Sequence, residues 1–432
     1  MARSPSNRPE PGTSSRLWRL VGPFLVVAPV ILVLLACRQG IGLDWDAVVY
    51  LSAADSFANT GRLIDFRGNP LTTFAPGLPT LVGILLKTGA TFNAIGIGIG
   101  VVTVATTLVT TWIVAKQVLG SAPASWIAAA LVGFSVNTVR VFSMLKTEAI
   151  FVPLVMLTLA LCLGAISAHR TPLWWVLAVA GTASSATTVR YIGFTLILMG
   201  ALAAFLAKKE CGIWRAVLSA TTTGVAASAG LAIVLARNLQ LGSAAFGDRS
   251  PSGLTARDVG TDTLQVLGAY ILPAKSASAA QTSLGLFVIG LIVLGAATAI
   301  SRRSVPAIYL CLFVCGYLVT LMYSEFATVI SPVNERLLAP ILPPIVILGL
   351  MGLHRLGWSP ANPEGRPSCF RRFAKLFALG LLTVTLITSV ASSAALRITV
   401  ARRVSVTTAS PRGDPRQPKR LRRFPPLSVS LP

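Results

Sequence analysis

The chain has 432 residues, 54% of them hydrophobic and only 12% charged, a balance that no soluble domain of this size tolerates. Its net charge of +23 invites a nucleic-acid reading. The Lys and Arg residues, however, fall in short segments between apolar runs and in one C-terminal stretch, where they report membrane topology and anionic lipid. The lipid bilayer is therefore the expected partner, with no nucleic acid.

Residues 1–18, rich in Pro, Ser and Arg and without apolar period, read as a disordered cytoplasmic tail. The apolar run 20–37 is long enough to span and is followed by no A-x-A-like site, so it reads as a retained first helix rather than a signal peptide. A polar loop, 38–76, follows and contains Asp44-Trp45-Asp46. The run 78–87 is too short for a hydrocarbon core of ~30 Å and predicts an interfacial helix, whereas 92–115 predicts the second span. Further spans are expected at 124–140, 148–168, 173–189, 191–207, 214–236, 283–300, 305–323, 336–353 and 376–396. The expected fold is an all-α polytopic bundle of about eleven spans over residues 19–396.

With the N-terminus inside, the inner loops hold Lys116, Arg170, Lys208, Lys209, Arg215, Arg302, Arg303 and the basic stretch 355–375, as the positive-inside rule requires. Carboxylates sort the other way: Asp44, Asp46, Asp55, Asp65, Glu148, Asp248, Asp258, Asp262, Glu325 and Glu335 fall on or beside the outer face. The two longest loops, 38–76 and 237–282, lie there too, and loops of such length are often functional. An odd number of spans puts the basic tail 397–432 outside. Either one span is miscounted, or that tail, disordered in both cases, binds anionic polymer or lipid outside. No internal repeat is evident, which weighs against transporters built from inverted repeats. The six cysteines lack the spacing of a zinc site or a disulfide framework and read as small core residues.

Charged groups at a membrane edge are candidate functional residues. If a helix starts after Asp44, that aspartate is its N-cap and Asp46 lies in its first turn, with Tyr50 on the same face one turn later. Glu148 follows Lys146-Thr147 at the start of a span, either as a helix N-terminal acid after a threonine cap or as part of a site. Arg190-Tyr191 lies between two apolar segments, where a snorkelling arginine with an interfacial tyrosine competes with a site role. Asn334-Glu335-Arg336 begins a proline-bearing span; its arginine is either paired with Glu335 or available to an anion. Arg249, Arg257 and Lys275, near Asp248, Asp258 and Asp262, read as a solvated mixed-charge surface.

Together these motifs resemble one family, the bacterial membrane glycosyltransferases of the GT-C type, related to protein O-mannosyltransferases and aminoarabinose transferases. Asp46-Ala47-Val48-Val49-Tyr50 is similar to the family's acidic motif after the first span, and Pro76-Gly77-Leu78-Pro79 to its Pro-containing helix entry. Thr147-Glu148-Ala149, Arg190-Tyr191-Ile192-Gly193 and Glu335-Arg336-Leu337-Leu338-Ala339-Pro340 resemble its later motifs. Ala47, Ala75 and Leu337 depart from the family's usual acid, proline and aromatic, which bears on the substrate class more than on the fold.

The resemblance implies an inverting hexosyl- or pentosyltransferase of the cell membrane that takes a polyprenyl-phosphate-linked sugar and passes it to an extracytoplasmic glycan, lipid or protein. Asp46 would be the general base, Arg336 and Arg190 would stabilise the leaving phosphate, and Glu148, Tyr50 and Tyr191 would line the substrate site. Asp44 would bind sugar hydroxyls or, with Asp46, a divalent cation; no other cofactor is implied. Two other classes stand beside this one: a transporter or flippase of lipid-linked sugars, and a non-catalytic membrane assembly protein.

Overall fold

The computed structural model describes residues 13–272, 278–328 and 333–355, and these are almost wholly helical. The expected span 376–396 and the tail 397–432 lie outside the described residues. Helix α1 (Thr13–Ala36) begins six residues ahead of the boundary expected at residue 19. The loop expected at 38–76 folds in part: α2 (Trp45–Thr60) runs from the Asp44 cap to Gly61, whose φ of +74° ends it in the left-handed region. Helix α3 (Gly77–Leu86) occupies the expected short apolar segment.

Helix α4 (Phe92–Leu119) runs between a Thr91 cap and a left-handed Gly120. The single span expected at 124–140 is instead a pair, α5 (Ala122–Gly133) and α6 (Val136–Phe142), bent by 63° around Phe134 and Ser135. Helix α7 (Thr147–Ala168) is the central element: 15 of its 22 residues are buried, and it packs on α4 and on the two helices that follow, α8 (Leu173–Val189) and α9 (Phe194–Lys208). Glu148 therefore sits at the mouth of a largely enclosed helix.

The span expected at 214–236 is also a bent pair, α10 (Ile213–Ala227) and α11 (Ala229–Gln240), at 42°. Its cause is local and tertiary together. Ser228 Oγ donates back to Gly224 O (2.8 Å), a bond that bends helices, and Gly230 packs so tightly on Ser184 that an added Cβ would lie 2.4 Å from its carbonyl oxygen. The long loop expected at 237–282 contains α12 (Ala256–Ala269), started by a Thr255–Asp258 capping box. Helices α13 (Ser278–Ser301), α14 (Val305–Ala327), the single turn α15 (Glu335–Leu338) and α16 (Leu342–Arg355) complete the described chain.

Among the described residues, six helices or helix-plus-turn segments are long and apolar enough to cross a membrane, and eight if each bent pair counts as one span. α8 has only 17 residues, about 26 Å at the α-helical rise, and the apolar part of α1 is shorter still. The apolar core runs from α7 through α8, α9, α14 and α16.

Candidate active site

Two short stretches from distant parts of the chain are zipped together beneath the site. Gly42 N donates to Ser143 O (2.9 Å), and Leu145 N donates to Gly42 O (3.0 Å). A Cβ on Gly42 would stand 2.8 Å from Met144 Cγ, so the approach needs glycine. The pairing sets Asp44 beside Lys146, whose Nζ lies 2.8 Å from Asp44 Oδ2. Meanwhile Asp44 Oδ1 accepts from Ala47 N (3.0 Å), the N-cap of α2.

Asp44 thus has two structural jobs, and Asp44→Ala is expected to lower stability by about 2–4 kcal/mol, roughly 1 for the cap and the rest for an unpaired, mostly buried Lys146. Asp44→Asn keeps the cap and should lose about half as much; thermal unfolding of the two variants checks the ranking.

Arg336 is the hub of the charges. Asn334 caps its turn by accepting from Leu337 N (3.3 Å), and the hydroxyls of Tyr270 and Tyr317 donate to the carbonyls of Glu335 (2.5 Å) and Leu337 (2.9 Å). With the backbone fixed in this way, Arg336 Nη1 reaches Asp46 Oδ2 at 2.5 Å and Asp44 Oδ2 at 3.4 Å, and its Nε lies 3.8 Å from Glu148 Oε1. Glu148, with a side chain 3% exposed, also takes Arg190 Nη1 at 2.6 Å and accepts from Thr147 Oγ1 (3.1 Å). Thr147 is not the cap expected of it: Lys146 occupies the N-cap position without a side-chain bond, and Thr147 and Glu148 both lie in the first turn of α7.

Five residues picked out in the sequence, Asp44, Asp46, Glu148, Arg190 and Arg336, therefore meet in one ion-pair network, and Lys146 joins them. Three carboxylates face three cations, which lets the group sit in a half-buried place without net charge. Asp44, Asp46, Lys146 and Arg336 line a cavity of about 360 Å³, together with Trp45, Asn137, Arg140 and Glu335. Glu148 and Arg190 stand behind its wall.

The two tyrosines do not line that cavity. Tyr50 is buried edge-on against Phe74 (5.2 Å between centroids). Burial raises its phenol pKa, and the charges of Asp46 and Glu148 push the same way, so the hydroxyl stays protonated. Tyr191 serves a strap: its hydroxyl donates to Thr72 O (2.8 Å) while Asn238 Nδ2 donates to it (2.8 Å). The neighbouring carbonyls are held likewise, Leu71 O by Arg237 Nη1 (2.8 Å) and Thr73 O by Arg249 Nη2 (3.2 Å). Arg249 is thus half-buried and bonded, not part of the solvated surface expected of it; Lys275 lies outside the described residues.

Asp44 and Asp46, the pair that could take a divalent cation, are held by cations of the chain itself. Both direct Oδ2 at Arg336, and among the described residues no three His, Cys, Asp or Glu side chains come together.

No protein-family model matches the chain, and no curated protein matches it in sequence. Solved structures do match the fold. The aminoarabinose transferase ArnT from Cupriavidus metallidurans superimposes in its apo state with a TM-score of 0.54 and 15% identity, over 89% of this chain and 73% of ArnT. Its undecaprenyl phosphate-bound form gives 0.53 and 13% over the same shares. The oligosaccharyltransferase of Archaeoglobus fulgidus, with a tethered acceptor peptide, gives 0.52 and 12% over 87% of this chain.

The fold is that of the GT-C glycosyltransferases. The chain spans 55% of the length of the archaeal oligosaccharyltransferase. Its apolar helices and the shared fold make it a multi-pass membrane protein.

Proposed function

We propose that this chain transfers a sugar from a polyprenyl-phosphate-linked donor to an extracytoplasmic acceptor hydroxyl, with inversion, and that Asp46 is the general base. The observation that carries the reading is the position of Asp46: in the wall of a 360 Å³ cavity, on the first turn of α2, fixed through Oδ2 by Arg336. That grip leaves Oδ1 for an acceptor. The acceptor O–H proton passes to Asp46 as its oxygen bonds to the anomeric carbon; the carbon–phosphate oxygen bond breaks, and the polyprenyl phosphate leaves with the electron pair.

Fold and charge placement support this reading over transport. The GT-C neighbour structures include one with undecaprenyl phosphate bound. All six charged residues sit at helix ends or just before them, whereas a transporter site is built near the middle of discontinuous spans.

The test is direct. Full-length protein in lipid nanodiscs, given a synthetic α-linked polyprenyl-phosphate sugar and a panel of glycan, lipid and peptide acceptors, is expected to form a β-linked product. Absence of transfer to every acceptor with any polyprenyl-linked sugar tried, from well-folded protein, overturns the reading; retained configuration overturns the single-displacement step.

A further inference from the structure

We propose that Asn137 and Arg140, one turn apart on α6, bind a phosphate group, and that the apolar cavity beside them receives the start of the lipid chain that carries it. Naming a lipid as the source rests on the function proposed above; the anion site itself does not.

The cations that the sequence recommends for phosphate are engaged with carboxylates. Arg336 is drawn to Asp46, Asp44 and Glu148, Arg190 to Glu148, and Lys146 to Asp44. Arg140 differs. It lines the same cavity, is exposed, and its guanidinium makes no ion pair among the described residues.

Asn137 stands one turn before it on the same face of α6 and is only 4% exposed, yet its Nδ2 has no hydrogen-bond partner. Buried donors are nearly always satisfied, so an unmet amide in a cavity wall is itself a sign of a ligand acceptor. An arginine fork and an amide N–H are both donors, and phosphate offers several acceptor oxygens to take them together.

The second cavity bears on what carries the phosphate: it is apolar, about 120 Å³, and walled by Leu131, Leu267, Ile345 and Val346 among others. Its wall adjoins that of the charged cavity at two places. Ser135 lines the apolar one and Asn137, two residues on across the α5–α6 bend, the charged one. Tyr270 lines the apolar one and donates its hydroxyl to the Glu335 carbonyl, and Glu335 lines the other. A molecule with a phosphate head and a hydrocarbon tail fits that succession, the head on α6 and the tail over the bend. Arg336 is then a positioning residue that holds Asp46, and Arg140 faces the charge of the departing phosphate.

The test measures binding, not transfer. Full-length protein in nanodiscs is titrated with undecaprenyl phosphate, with neutral undecaprenol, and with inorganic phosphate. Arg140→Gln and Asn137→Asp are each expected to weaken undecaprenyl phosphate binding by about 10- to 100-fold, the loss of one charge-assisted bond, and to leave undecaprenol unaffected. Arg140 is exposed, so its variant reports even where the buried Asn137 change disturbs folding.

Wild-type affinity in a folded Arg140→Gln protein overturns the proposal. Inorganic phosphate binding as tightly as the lipid, and dependent on Arg140, keeps the anion site but removes the lipid. Asp46→Asn removes a carboxylate from the same cavity and is expected to bind undecaprenyl phosphate at least as tightly as wild type does. If Asp46→Asn also transfers sugar normally while Arg140→Gln loses binding, the base assignment falls and the phosphate site stands.

Discussion

Asp46→Asn is expected to lower sugar transfer by about 10²–10⁴-fold, the range that a positioned general base contributes. The exchange keeps the shape of the side chain and an acceptor oxygen for Arg336, and removes only the capacity to take a proton. Stability should change little, by no more than about 1–2 kcal/mol. The Asp46 side chain is 21% exposed, and Arg336 keeps Asp44 and Glu148 within 3.4 and 3.8 Å, so no buried cation is stranded. Initial rates and thermal unfolding measured on the same preparations separate the two effects. A folded Asp46→Asn protein that works at the wild-type rate removes Asp46 from the chemistry.

Much of this architecture is legible before any coordinates, and the parts that are not share a cause. In a chain with 12% charged residues, Asp46, Glu148, Arg190 and Arg336 stand out one at a time. The Asp44 cap can be read locally because it satisfies an N–H three residues away. Pairing is another matter: whether Arg336 meets Asp46 or Glu335 depends on how residues 290 apart in sequence are brought together. Lys146 gains its partner only through the Gly42–Leu145 zip, and Tyr191 turns from the site to Thr72 because Asn238, 47 residues on, holds its hydroxyl.

The bends are hidden for the same reason. Residues 124–140 and 214–236 are each apolar enough for a straight span, and the break at Ser228 is set partly by Gly230 resting on Ser184. Asn137 carries no signal in sequence at all. An asparagine in an apolar run becomes informative only when its amide is found buried and unmet.

The pair behind the cavity wall sets the largest expected change in stability. Glu148→Leu leaves the Arg190 guanidinium, whose side chain is 17% exposed, without its carboxylate at 2.6 Å; a stranded buried charge of this kind costs about 3–5 kcal/mol. Arg190→Met is expected to cost less, because Glu148 keeps a second cation, Arg336, at 3.8 Å. The double variant Glu148→Leu with Arg190→Met removes both charges and should recover most of the loss, falling above the Glu148→Leu single in stability. Equilibrium unfolding in detergent micelles measures all three against wild type. The order of the two singles is the sharper result: if Arg190→Met proves the more damaging, Arg336 does not share Glu148, and the network breaks into two separate pairs, Arg190 with Glu148 and Arg336 with Asp46.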